Sequence, residues 1–235
     1  VSAVTDILTY TLENKIALVH MDDGKANALS DAMISALLGA LDRAEKEASA
    51  MILLGRPGRF CAGFDLKVMM SGVDAATGLL SRGSELLLRL YDAKVPLVIA
   101  CSGHALAGGA LVVLAGDTRI GASGDFRIGL NEVGIGMPVP VLAMELARSR
   151  LLPTELTKAT LQARIYGPDE AMRAGYLDAV AAPDDLLARA KEEATRLAGL
   201  SIGAYRATKT RLRRETIAYI KEKFDEDVKN LLSIG

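Results

Sequence analysis

Two adjacent glycines, Gly108 and Gly109, open a run, ALVVLA, that is apolar on every face of a helix. A helix with no polar face has to be buried on all sides, so the rest of the fold must wrap around it. An apolar, strand-like run at residues 97–101 leads towards it and breaks at Ser102, Gly103 and His104. A helix N-terminus carries backbone N–H groups without intrahelical acceptors and a partial positive charge, and glycine there lets a substrate oxygen approach them closely. The stretch outlines an oxyanion hole. The same glycines also suit tight packing of helix on strand, and the two uses are compatible.

Further on, Glu132 is the only ionisable residue between Arg127 and Glu145, with Ile128, Leu130, Val133, Ile135 and Met137 around it. A carboxylate in apolar surroundings has its charged form disfavoured, which raises its pKa towards the range where a general base works at neutral pH. From the residues alone, a solvated loop carboxylate competes evenly with that reading. Paired with an oxyanion site, a buried Glu132 points to proton abstraction next to a stabilised oxyanion.

Three strings carry a family resemblance: HALAGGALVVLAGDTRI, FCAGFDL from Phe60 on, and IGLNEVGIG. In this order they resemble the crotonase (enoyl-CoA hydratase/isomerase) superfamily over nearly the whole chain. Within it they are most similar to mitochondrial-type Δ3,Δ2-enoyl-CoA isomerases. The resemblance implies an α/β fold, a crotonase-like spiral of ββα units with a C-terminal helical region. By position in the motifs it implies Glu132 as catalytic base and then acid, and the backbone N–H groups of Phe64 and Gly108 as oxyanion donors. Ala62, Gly63, Asp65 and Leu66 would line the coenzyme A side, although an aspartate such as Asp65 more often caps a helix. Hydratases of the superfamily carry a second glutamate where this chain has Leu111, three residues after the oxyanion glycine and so one turn along the same helix face.

Adding water to a double bond uses paired carboxylates, whereas shifting one needs a single base and an oxyanion site. Leu111 leaves one carboxylate in the pocket, so the expected activity is Δ3,Δ2-enoyl-CoA isomerisation through a thioester dienolate. Enoyl-CoA hydration, or another acyl-CoA lyase or hydrolase reaction on the same scaffold, is the alternative. A non-catalytic acyl-CoA or RNA-binding relative is the third reading. The 28 Lys and Arg against 29 Asp and Glu, with no Trp, give no polyanion-seeking surface or stacking platform, so no nucleic-acid partner is expected.

Half of the 235 residues are hydrophobic, enough for one sizeable core, yet no run approaches the roughly 18 apolar residues of a membrane span. Cys61 and Cys101 cannot make a disulfide framework, and no CxxC or HExxH spacing offers a metal site. Neither metal nor cofactor is expected, coenzyme A being part of the substrate. A reducing compartment fits: cytoplasm, or mitochondrial matrix in a eukaryote. The sequence starts at Val1, so a missing targeting segment is no guide to origin.

In order, strands are predicted at 7–12 and 16–21 around a turn at Glu13, Asn14 and Lys15. A helix follows at 31–47 with Ser30 as N-cap, then a strand at 50–54. Residues 67–78 read as a mobile segment near a mouth, overlapping the start of a long helix at 75–93. Strands at 118–122 and 126–128 come before helices at 139–150, 154–160 and 168–174, and a last strand at 177–181. Helices at 186–198, 203–214 and 216–232 end the chain. One continuous domain is expected, a spiral core over 1–183 and a helical trimerisation region over 184–235. The stripe Ile217, Ile220, Phe224, Val228 and Leu231 needs an apolar partner. The family implies a homotrimer or dimer of trimers. Lys209, Arg211, Arg213 and Arg214 read as a solvated helix face, with coenzyme A phosphates as the sharper alternative. Ser102, His104 and Asp117 are discounted as a triad because no GxSxG elbow presents the serine.

Overall fold

The computed structural model describes residues 3–5 and 7–233, with side chains over 7–231. Its frame is a seven-stranded sheet. Strands β1 (Ala3–Thr5), β2 (Leu8–Glu13) and β3 (Ile16–Met21) pair antiparallel. Asn14 and Lys15 join the last two at φ of 50° and 60°, the left-handed pair that a two-residue hairpin turn demands. Helix α1 (Asp31–Glu47) follows, and the Ser30 hydroxyl accepts the Met33 N–H at 3.2 Å, capping it as the sequence predicts. It buries Met33, Ile34, Leu37 and Leu41 and returns the chain to β4 (Ala50–Leu54), parallel to β3.

From β4 onward the chain repeats one device three times. Each strand of the large sheet is followed almost at once by a strand of a second, three-stranded sheet, and then by helix. Thus β4 is followed by β5 (Gly58–Cys61), with α2 (Leu66–Met69) and α3 (Val73–Tyr91) after it. Then β6 (Leu97–Cys101), β7 (Gly103–Leu106) and α4 (Gly108–Ala115) form the second turn. The third has β8 (Thr118–Ala122), β9 (Ile128–Gly129) and, past a one-turn 3-10 helix at Val133–Ile135, α5 (Val141–Arg150). This is the spiral of ββα units that the resemblance implies. Helices α6 (Pro153–Thr160) and α7 (Pro168–Ala174) lead to β10 (Ala179–Ala181), which closes the large sheet in the order β1-β2-β3-β4-β6-β8-β10.

As its composition requires, α4 has all eight residues buried, at the centre of the main core. A second cluster covers the other face of the large sheet, where α8 (Leu186–Ala198) lays Leu186, Ala190 and Ala194 on Ile52, Val98 and Ile120. Among the described residues no helix is long and apolar enough to cross a membrane.

Three expectations are corrected. Residues 67–78 carry α2 and the start of α3, separated at Gly72. The two helices foreseen at 203–214 and 216–232 are one, α9 (Ile202–Ser233), whose apolar stripe finds its partner within the chain: Ile220, Val228 and Leu231 are buried against the protein's own core and cavity. The basic cluster is neither a solvated face nor a phosphate site at its two inward positions. Lys209 Nζ lies 2.7 Å from Asp117 Oδ2 and Arg213 Nη2 2.8 Å from Asp117 Oδ1, all three side chains buried, while Arg211 and Arg214 face solvent. Burial pulls the Lys209 ammonium down to about 8, with Asp117 opposing.

Asn27, fully buried at φ 52°, ties the first crossover to the small sheet. Its Nδ2 donates to the carbonyls of Met21 (3.0 Å), Arg59 (3.2 Å) and Phe60 (3.2 Å), and its Oδ1 accepts the Asp23 N–H at 3.0 Å. Asn27→Ala strands these groups, and we expect a loss of about 3 kcal/mol in unfolding free energy. Urea denaturation checks this; a loss below about 0.5 kcal/mol, the scale of a surface change, would contradict it.

Candidate active site

The small sheet is parallel throughout, so its three strands end at one edge. Leu106 of β7 pairs with Gly129 of β9, and Cys61 of β5 pairs with Ala105 of β7 after a one-residue bulge. Just beyond these pairs come residues 62–64, 107–109 and 130–132. The Ala107 N–H donates to the Gly129 carbonyl at 3.0 Å, holding the second and third groups together. Phe64, Gly108 and Glu132, far apart in sequence, thus reach one edge.

The first two donors are set by backbone conformation. Gly63 sits at φ 92°, and a Cβ there would stand 3.1 Å from the Gly108 nitrogen, so only glycine lets the two loops approach this closely. The Gly63 carbonyl accepts the Leu29 N–H at 2.8 Å and the Ala62 N–H donates to Ala26 O at 3.0 Å, which brackets the loop from the α1 side. Ala107 precedes α4 at φ 49° and ψ −121°, a costly conformation for a residue with a Cβ. That turn frees the Gly108 N–H, the first of α4. Among the described residues neither the Phe64 nor the Gly108 N–H finds an acceptor. The Phe64 ring packs on Gly83 and Gly108, while Gly109 is a packing glycine whose missing Cβ makes room for the Cys61 carbonyl. The two uses foreseen for the glycine pair are thereby divided between its members.

Glu132 follows Leu130 and Asn131 and opens the 3-10 turn, its carbonyl accepting the N–H groups of Ile135 (3.0 Å) and Met137 (2.9 Å). It is only 7% exposed, and its Oε2 is buried with no hydrogen-bond partner among the described residues. Burial raises its pKa above the ordinary carboxylate range. The side chain is thus buried and does not lie on a solvated face. The shielding differs from the sequence picture, however: Ile128 and Leu130 are buried, but Val133 and Ile135 face solvent. Sequence reading missed Tyr176, wholly buried and close enough for the Glu132 charge to act on its hydroxyl.

Leu111 is buried on α4 and lines, with Phe64, a cavity of about 30 Å³ walled by α3, α5 and α9. A second acid, Asp227 of α9, also lines it and accepts the Val141 N–H through Oδ2 at 2.7 Å. The pocket as a whole is therefore not free of other carboxylates, though Asp227 is engaged by the first N–H of α5.

A larger cleft of about 440 Å³ opens on the other side, lined by Ala26, Ala62 and Leu106 and by the cationic side chains of Arg59 and Arg127. No spacing along the chain marks this pair, because strand register alone brings them together. His104 lines the cleft too; its Nδ1 accepts the Arg127 N–H at 3.0 Å and its ring meets Phe126 edge-on at 5.6 Å. Burial first, then Arg59 and Arg127, lower its pKa. Asp65 Oδ1 accepts the Lys67 N–H at 2.9 Å, which makes it the N-cap of α2, and Leu66 is exposed beside it. The triad is ruled out: Asp117 holds Lys209 and Arg213, and Ser102 Oγ donates to Arg56 O at 3.0 Å. Among the described residues no three His, Cys, Asp or Glu converge as metal ligands.

Comparison with known proteins bears on these features. The family model described as Enoyl-CoA hydratase/isomerase matches residues 11–234. The mitochondrial Enoyl-CoA delta isomerase 1 of Homo sapiens is 29% identical over 93% of this chain and 74% of its own. The Short-chain-enoyl-CoA hydratase of Clostridium acetobutylicum is 30% identical over 91% of this chain and 86% of its own. A crystal structure of an enoyl-CoA hydratase/isomerase family protein from Pseudomonas syringae superposes with a TM-score of 0.94 at 37% identity, covering 96% of this chain and 98% of that one.

The raised pKa of Glu132 has a consequence for stability. Between the unfolded pKa and the higher folded one, the native state binds more protons than the unfolded state, so stability falls as pH rises through that window. Glu132→Gln removes the cost, and we expect it to be more stable than the parent at pH 7 and indistinguishable from it near pH 3. Thermal melts across pH test this; equal melting temperatures at pH 7 would show the carboxylate to be solvated.

Proposed function

The chain belongs to the enoyl-CoA hydratase/isomerase family, an acyl-CoA-processing crotonase family, and from that membership we propose that it is a Δ3,Δ2-enoyl-CoA isomerase. The observation that carries the reading is Leu111, a buried apolar residue one helical turn from the Gly108 N–H, where a hydratase would use a second carboxylate.

The thioester oxygen of a 3-enoyl-CoA accepts hydrogen bonds from the Phe64 and Gly108 N–H groups. As Glu132 takes a proton from C2, charge moves onto that oxygen, and donors already aimed at it need no reorganisation. Glu132, now protonated, returns the proton at C4. A single carboxyl group serves as base and then acid, and its raised pKa suits both tasks. The buried Leu111 keeps water from the dienolate. Residues 62–66, with Ala62, Gly63, Asp65 and Leu66, flank the pantetheine, and Arg59 and Arg127 meet the phosphates of coenzyme A at the cleft. No cofactor beyond the coenzyme A of the substrate is needed. Assembly as a trimer or dimer of trimers completes the proposal; Leu212 and Tyr219 lie exposed on the outer face of α9.

Hydration is the second reading, favoured by the likeness to the clostridial hydratase. Incubation with 3-hexenoyl-CoA and with crotonyl-CoA separates the two. We expect conversion of the first to 2-hexenoyl-CoA, and hydration of the second slower by at least about a hundredfold, the usual worth of a positioned acid or base. Efficient hydration with 3-hexenoyl-CoA untouched would replace isomerase by hydratase.

Two substitutions test the machinery. Glu132→Gln should lower kcat by at least about a hundredfold with the fold intact. In Gly108→Val the first added carbon meets the Phe64 ring at 3.1 Å, displacing the loop that holds the other donor, and we expect a barrier higher by roughly 3 kcal/mol. Parent-like rates in either folded variant would remove that residue from the site.

A further inference from the structure

The cavity beside Leu111 reaches both elements that carry the proposed donors, since Phe64 and Leu111 of α4 line it, and its far side is built by α9 through Phe224, Asp227 and Val228. Its volume of about 30 Å³ holds on the order of two methylene-sized groups, going by the space that water needs. The wall is fixed in place. Asp227 puts its carboxylate on the first N–H of α5, a group with no intrahelical acceptor at the positive end of a helix dipole, and Val228 and Leu231 are buried next to it.

We infer that Phe224 and Asp227 set the acyl-chain length this protein accepts: Phe224 fills the path of a longer chain, and the Asp227 contact with Val141 holds α9 down over the cavity. Chains of about six carbons fit with α9 docked, C5 and C6 occupying the space beyond the reacting carbons. Longer chains must push α9 aside and break that hydrogen bond. The inference rests on the acyl-CoA reading of the site.

The test measures kcat/KM for 3-hexenoyl-, 3-octenoyl- and 3-dodecenoyl-CoA in the parent, Phe224→Ala, Asp227→Ala and Asp227→Asn. Overpacking a formed core is strongly unfavourable, so the parent should favour hexenoyl over dodecenoyl by at least about tenfold. Phe224→Ala and Asp227→Ala should each raise the dodecenoyl-to-hexenoyl ratio by about fivefold or more, whereas Asp227→Asn, which retains an acceptor oxygen for Val141, should keep the parental ratio. A flat parental profile, or a ratio unmoved in both alanine variants, overturns the inference, and the parental profile decides alone if the variants fail to fold. If no thioester is turned over, the isomerase and hydratase readings fall. Calorimetric affinities for hexanoyl- and dodecanoyl-CoA then read the same ratio, equal affinities for the two overturning the inference.

Discussion

The hydrogen bonds that hold β7 between β5 and β9 involve few residues, yet the rest of the site is placed by them. A parallel pairing fixes which ends of the strands lie together, so three loops from distant parts of the sequence emerge at one edge. A slip of one residue between β7 and β9 could not be absorbed, because it would move Glu132 along the edge and turn alternate side chains to the opposite face. Asn27 and the contacts of Leu29 with the Gly63 loop reinforce this register from the α1 side.

Burial then acts in opposite ways on the two halves of the site. It destabilises the charged form of Glu132, whose Oε2 has no partner among the described residues, which suits the base-then-acid role proposed for it. For the backbone donors the same exclusion of water strengthens any hydrogen bond to a developing anion. The strained backbone of Ala107 belongs to this arrangement, since the turn it makes is what presents the Gly108 N–H.

Much of the fold was legible in the sequence wherever a local signal marks an end. Ser30 opens α1, Pro168 and Gly175 bound α7, and the unbroken apolar runs of β4 and β6 have the predicted limits. The misreadings along α9 share a cause, namely polar residues placed inside. Lys209 and Arg213 occupy the buried face of α9 where apolar residues would mark helical periodicity, so one helix read as two. Asp227 lies in the run Phe224, Asp225, Glu226, Asp227, which reads as solvated, and its contact with Val141 depends on tertiary docking. Glu132 and the glycine pair were visible because isolation among apolar residues is itself a pattern. The cleft with Arg59 and Arg127 was not, because no spacing in the chain encodes strand register.

Asp117 stands just before β8, and its two neutralising partners come from a helix roughly ninety residues further along the chain. In chain order, the three loops of the candidate site and their small sheet come before those partners. Until then that carboxylate lacks the two cations that pair with it directly. The closing helix is thus synthesised after the negative charge on which it docks. Its docking pairs that charge and closes the cavity beside Leu111 with the same helix.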